Sequence, residues 1–401
     1  MKNMILPDFV TTIIAKLQSS GYEAYAAGGC VRDMLMGKTP ADYDVATEAK
    51  PEQVIAALYP LKIIETGIKH GTVTVLINGH SVEITTFRSD GEYTDNRHPK
   101  SVSFDAGVFE DTSRRDFTIN AMMYNHDKGI VDHHGGITDI KSKLIRCVGY
   151  ADERFNEDAL RILRALRFAS NLGFDIEPLT AAAAINNRLL LQNISAERIT
   201  SELIKILCGD FAKKVISKHF EIIKSLIPGL SDKEHISALI DACPKKDYIR
   251  LAALLHYNEG FSIPSCLRFD NTTKHKITKL ISHFDENILP DKRLLKSYMR
   301  KLMPSLLFDL FDLQLAEAVM LNKDTTKIIQ AKKLLQQLID SNECYTLSML
   351  AVGGDDLIEH NIAHGKEIGS ILETLLDAVV DEKVQNEKQA LLQYATTLVK
   401  N

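Results

Sequence analysis

The chain has no uninterrupted apolar run long enough to cross a bilayer, no Cys-x-x-Cys pair, no surplus of positive charge, and no low-complexity or fixed-period repeat. The first absence excludes a membrane-spanning protein. The opening segment MKNMILPDFVTTIIAKLQSSG carries Asp8 and lacks an Ala-x-Ala cleavage site, so it reads as an amphipathic first helix and not as a signal peptide. Six cysteines, Cys30, Cys147, Cys208, Cys243, Cys266 and Cys344, stand singly, which argues against a zinc site or a disulfide framework and fits a reducing cytoplasm. A formal net charge of −5 offers no general basic field, so any phosphate-binding surface must be local. What is there is an ordinary globular balance, 45% hydrophobic and 25% charged, which excludes wholesale disorder. With 401 residues the chain is too long for one core and predicts about two to four domains.

Patterning divides the chain in two. Up to about Ile145 helix-like and strand-like segments alternate, and GTVTVLING and HSVEITTF are β-branched, period-two runs joined by Asn78-Gly79, a hairpin signal. From DERFNEDALRILRALRFASNLGF onward apolar residues recur every three or four positions and strand-like runs vanish. The expected class is therefore α+β: a mixed-sheet head followed by an all-helical extension cut by Pro and Gly punctuation.

Chemistry concentrates in the head, in the run AAGGCVRDMLMGKTPADYDVATEA. On a strand, residues two apart project to one face, so Asp42 and Asp44 would present paired carboxylates, a hard-oxygen set that suits Mg²⁺ together with phosphate oxygens and water. Gly28 and Gly29 stand where strand passes to helix, a place where backbone N–H groups hold a triphosphate, with Arg32 near enough to assist. Singly, a Gly-Gly is a turn and an Asp-x-Asp a solvated loop; their adjacency is what points to a nucleotide. Glu83, mid-strand between Val82 and Ile84, either faces solvent or shares the same cation, and the two acids upstream favour the cation.

The run from Gly28 to Gly37 followed by Asp42-x-Asp44 resembles the nucleotidyltransferase signature of the polymerase-β superfamily, and more closely the class II tRNA nucleotidyltransferase and bacterial poly(A) polymerase group. SRRDFTINAM, DHHGGITDIKSKLIRCVG and NEDALRILRALRF resemble that group's later motifs, in order. The resemblance implies a polymerase-β-like head over 1–146, a nucleotide-recognising neck over 147–207, a body over 208–285 and a tRNA-binding tail over 286–401. It also implies nucleotidyl transfer from CTP and ATP to tRNA, catalysed with Mg²⁺ on Asp42 and Asp44, with Glu83, from its mid-strand position, the candidate third catalytic acid. ETGIKHGTVTVLING resembles CCA-adding enzymes more than poly(A) polymerases, and the polar RSDGEYTDNRHPKSV resembles the loop with which such enzymes change from C to A addition. A poly(A) polymerase, or an enzyme adding CC or A alone, is the alternative. In the C-terminal segment Ala363-His364-Gly365 departs from the group's usual Pro-Gly-Pro.

Asp158 and Arg161, three apart on a predicted helix, set an acceptor beside a donor. Cytosine and adenine each complement that pair, whereas guanine and uracil meet it like against like, leaving buried groups unpaired. The resemblance assigns this choice to Asp158 and Arg161, and assigns Arg115, Arg164 and Arg167 to the incoming nucleotide. Asp116 is expected to pair with a neighbouring arginine, with a third-acid role held in reserve. Ser195, Arg198 and Glu202 read as helix capping and intrahelical pairing. RNA contact falls to basic helix faces, Lys292, Lys296 and Arg300 or Lys213, Lys214 and Lys218, reading the tRNA acceptor arm by shape. The sole His-Asp dipeptide, His126-Asp127, reads as a hairpin tip and not as part of a phosphohydrolase site.

Overall fold

The computed structural model describes residues 4–91, 100–258 and 263–400. Residues 92–99, most of the polar segment compared above to a C-to-A loop, lie outside the described residues. The chain forms two compact units, one of Met1–Lys233 with Ile263–Arg268, the other of Glu234–Ser262 with Phe269–Asn401. Among the described residues no helix is long and apolar enough to cross a membrane.

The first unit is built on a seven-stranded mixed sheet of β1 (Ala24–Ala27), β2 (Asp44–Thr47), β3 (Lys62–Ile64), β4 (Thr72–Ile77), β5 (His80–Thr86), β6 (Met122–Asn125) and β7 (Gly129–Asp132), in the order β3-β4-β5-β2-β1-β6-β7. The Asn78-Gly79 hairpin forms as expected, both residues at positive φ, and His126-Asp127 tips the β6–β7 hairpin. Period-two alternation sorts the faces. Ala26, Val45, Val73, Val75, Val82 and Ile84 point into a core covered by α1 (Asp8–Ser19) and α3 (Pro51–Leu58). Tyr25, Ala27, Ala46 and Met123 point to the other side, against Phe87. This second face carries the site.

Register decides what meets there. Ala27, the last residue of β1, pairs with Asp44, and Asp44 pairs in parallel register with Glu83. One step past Ala27 the chain turns at Gly28 into α2 (Gly29–Leu35). The strand is shorter than the sequence implies: β2 begins at Asp44, so Asp42 lies in the preceding loop and the two aspartates do not share a strand.

Helices α6 (Ala151–Glu157), α7 (Leu160–Leu172), α8 (Pro178–Asn186) and α9 (Ala196–Leu207) complete the part of this unit that bears on the site. Helix α7 packs tightly on α9: the Ser170 hydroxyl donates to the Ile206 carbonyl at 2.7 Å, and a Cβ at Gly209 would meet that hydroxyl at 2.2 Å. A side chain there would force the two helices apart.

Among the described residues the regular elements of the second unit are all helices, and their ion pairs qualify one expectation. Lys292, Lys296 and Arg300 do lie on one helix, Lys292–Leu302, but their charge is answered within the unit. Lys296 is only 2% exposed and holds Glu343 at 2.6 Å; Lys292 reaches Glu343 and Glu382, and Arg300 pairs with Glu373 and Asp377. An intramolecular ion network, not a free basic stripe, explains the spacing. In the first unit Lys214 and Lys218 also lie against Asp175, but all three side chains stay about half exposed, so that expectation stands open. Removing one partner of a buried pair leaves the other charge uncompensated. Glu343→Ala is therefore expected to cost the fold about 3 kcal/mol, read as a lower urea midpoint. A midpoint shift no larger than that of an exposed Glu→Ala control would contradict the buried role of Lys296.

Candidate active site

The glycine turn, the ends of β2 and β5, the segment after α4 (Val108–Ser113), and α7 and α9 surround one cavity of about 570 Å³. Gly28, Gly29, Arg32, Asp44, Glu83, Arg115, Asp158, Arg161, Arg164 and Arg167 all line it. Of the catalytic and nucleotide-binding candidates singled out from sequence, Asp42 alone stands outside the lining, exposed in the loop before β2.

At Gly28 φ is +75°, and a Cβ would stand 2.8 Å from Arg115 Nη1. The Gly28 amide donates to the Met122 carbonyl at 3.0 Å, so this glycine contributes room and not a free donor. Arg32 is buried; it pairs with Asp33 at 2.8 Å and its Nη1 donates to the Asn120 side-chain oxygen at 2.7 Å. Asn120 in turn donates to Asp116 at 3.2 Å, and the far oxygen of Asp116 holds Arg164 at 2.5 Å. Burial alone would raise the Asp116 carboxyl, but Arg164 and Asn120 outweigh it and hold it below its usual range. Asp116 thus pairs with an arginine as expected.

Asp44 is in the opposite state. Desolvation by the surrounding cavity walls first, then the carboxylates of Asp42 and Glu83, push it up to about 6 from a usual 3.8, with only Arg115 pulling it down, although the residue itself stays open to the cavity. The folded form therefore binds this proton more tightly than the unfolded chain, and stability declines as pH rises from about 4 to about 6. Asp44→Asn, which keeps the shape and drops the charge, is expected to melt higher than the wild type at neutral pH in chelator. That advantage should vanish below about pH 4, where both states of Asp44 are protonated. A lower melting temperature for D44N at neutral pH would contradict the crowding of the acids.

Two expectations about the helical wall need revision. Asp158 and Arg161 are not on one helix: α6 ends at Glu157, Asp158 is extended with φ −140° and ψ 102°, and Arg161 is the second residue of α7. The break lets Asp158 turn to Arg198, whose Nη2 donates to it at 2.8 Å from α9, forty positions along the chain. Arg198 is thus a cavity residue, not part of an intrahelical pair, and Glu202 binds Arg167 at 2.8 Å across the α7–α9 contact. Ser195 is the N-cap of α9 but makes no side-chain capping bond. Arg161, 8% exposed, is held by Glu157 at 2.5 Å and by the carbonyls of Arg154 and Arg114.

Sequence reasoning missed Arg88, Arg114, Asn120, Arg198 and Phe168, which also line the cavity. Arg114 sits beside the flagged Arg115, and both are gripped by the buried Asp111 at 2.5 and 3.1 Å. An Asp three and four positions before an Arg-Arg pair on a short helix was the available signal. For Arg198 the signal was the stretch SAERITSELIKIL, which resembles a motif of the same group but reads, residue by residue, as helix capping and pairing.

Comparison with known proteins agrees with this geometry. Residues 24–146 match the family model described as Poly A polymerase head domain, and residues 262–395 match the tRNA nucleotidyltransferase domain 2 model. A CCA-adding enzyme of Leuconostoc citreum is 36% identical over 97% of this chain and 96% of its own length. The Geobacillus stearothermophilus CCA-adding enzyme is 47% identical over 55% of each chain. The crystal structure of the Bacillus stearothermophilus CCA-adding enzyme in complex with CTP aligns with a TM-score of 0.77 at 32% identity, covering 99% of this chain and 98% of that one. With more than a third of its residues shared along nearly the full length of such a relative, and with the head motifs meeting at one cavity, the chain belongs to the family of CCA-adding enzymes, which are tRNA nucleotidyltransferases.

Proposed function

We propose that the protein adds CCA to the 3′ end of tRNA without a nucleic-acid template, drawing on CTP and ATP and releasing pyrophosphate. The observation that carries this is the register that sets Asp44 and Glu83 beside the glycine turn on the wall of an arginine-rich cavity. The cavity has the volume of a small-molecule site. Arg32, Arg115, Arg164 and Arg167 would neutralise and orient a triphosphate, while Asp158 and Arg161 at the α6–α7 break would face the base. Phosphoryl transfer asks mainly for such positioning and charge stabilisation.

The acids fit a divalent cation. Asp44 is raised by desolvation and then by two carboxylates, with Arg115 the opposing charge, and a cation there would relieve that excess of negative charge. Among the described residues no three metal-ligating side chains are gathered closely enough to enclose an ion by themselves, so phosphate oxygens and water would have to supply the rest of its shell. Asp44 and Asp42, with Glu83, would hold Mg²⁺. Bound there, Mg²⁺ would acidify the tRNA 3′-hydroxyl and offset charge on the phosphates. Residues 1–146 act as catalytic head and 147–207 as recognition neck, with 208–285 and 286–401 as body and tail that take the acceptor arm of tRNA in the cytoplasm.

A poly(A) polymerase would share the head. Purified protein incubated with a tRNA transcript lacking CCA, one ending in CC and an unrelated RNA separates the readings. Addition of CCA to the first, of A alone to the second and nothing to the third is expected. Long A tracts on all three would overturn the assignment.

A further inference from the structure

Phe168 lines the nucleotide cavity near the C-terminal end of α7 and is 9% exposed. Three guanidiniums converge on its ring: Arg167 at 4.3 Å from the centroid, Arg32 at 5.3 Å and Arg164 at 5.5 Å. Phe117 packs edge-on against the same ring at 5.8 Å and 81°, fixing its plane. Phe117 belongs to the segment that follows Arg115 and Asp116, and it bridges to Cys147. The ring therefore touches arginines from α2 and from α7 and is braced by the chain between them.

Each of these arginines already has its own acid, Asp33 for Arg32, Asp116 for Arg164 and Glu202 for Arg167. Asp116 and Glu202 act on both Arg164 and Arg167, whereas the Phe168 ring lies within reach of all three guanidiniums. Like charges gathered around one cavity repel, and an aromatic face attracts each of them through its quadrupole, more strongly where water is excluded. We infer that Phe168 is a positioning residue for triphosphate binding, whose ring face holds Arg32, Arg164 and Arg167 in the one arrangement that meets an incoming nucleotide. The inference rests on the cavity being the nucleoside triphosphate site.

The electronic character of the ring, and not its bulk, is what the role requires. Phe168→Leu keeps much of the volume and loses the π face. It is expected to raise KM for CTP, on tRNA lacking CCA, by about three- to tenfold, and KM for ATP, on tRNA ending in CC, by the same factor. The kcat values should move by less than about twofold, since the reacting groups at Asp44 are untouched. Phe168→Tyr should restore both KM values to within about twofold of wild type. Trifluorophenylalanine introduced at position 168 keeps the shape and withdraws ring electron density, so KM should rise while the melting temperature holds; this variant decides the matter if F168L fails to fold. Unchanged KM with the fluorinated ring, or equal loss in F168L and F168Y, would overturn the proposal while leaving the nucleotide site intact. A rise confined to ATP would overturn it in favour of direct stacking on the adenine base. A wild-type protein that incorporates neither CTP nor ATP would sink both this role and the assignment it rests on.

Discussion

Asp44→Ala is expected to lower incorporation of both CTP and ATP by about a thousandfold or more, while tRNA affinity stays within about twofold. Asp44 is the one acid that the sheet places against both the glycine turn and Glu83, so it is the hinge of the proposed cation site. Its ionisation is made costly by desolvation and by Asp42 and Glu83, a cost that a bound cation would relieve. Losing the carboxylate removes stabilisation of developing charge at the reacting phosphate and nothing that touches RNA at a distance. Asp42→Ala should be milder, because Asp42 stands in the loop outside the cavity lining. Single-turnover extension of a labelled tRNA, beside a gel-shift measurement of binding, reads the two effects apart. An Asp44→Ala protein that retains a tenth of wild-type turnover would end the proposal that this residue holds the catalytic metal.

What could be read from sequence was what is local. The Asn78-Gly79 hairpin, the glycine turn at Gly28 and mid-strand Glu83 each carry their own signal in turn chemistry or period-two alternation, and all form as expected. The pairing of Asp44 with Glu83 was not legible, because register between strands almost forty residues apart is set by the core on the sheet's other face. Helical periodicity also runs without interruption through NEDALRILRALRF, so it hides the break at Asp158. Tertiary demand made that break: the carboxylate turns to Arg198 on a neighbouring helix. The lysine stripe of DKRLLKSYMRK is ambiguous for the same reason. A basic face looks identical in sequence whether it meets RNA or the acids of Glu343, Glu373 and Asp377.

Arg161→Ala is expected to cut kcat/KM for CTP by about a hundredfold and to raise the use of UTP relative to CTP by about tenfold or more. In the free protein Arg161 spends Nη1 on Glu157 and the Arg154 carbonyl and one Nη2 bond on the Arg114 carbonyl, which fixes the guanidinium plane before any base arrives. A planar donor so held can offer its remaining N–H groups in one direction only. Cytosine N3 and adenine N1 accept there, whereas the N3–H of uracil meets a donor and leaves both groups unsatisfied out of water. Removal of the side chain deletes the reward for the right base and the penalty for the wrong one together, and Glu157 keeps Arg154 as a partner, so the fold should survive. Asp158 still has Arg198, and discrimination of the exocyclic amino group should persist in part. Competition between labelled CTP and UTP on one tRNA reads the ratio directly, and a ratio unchanged from wild type would show that the α6–α7 break does not choose the base.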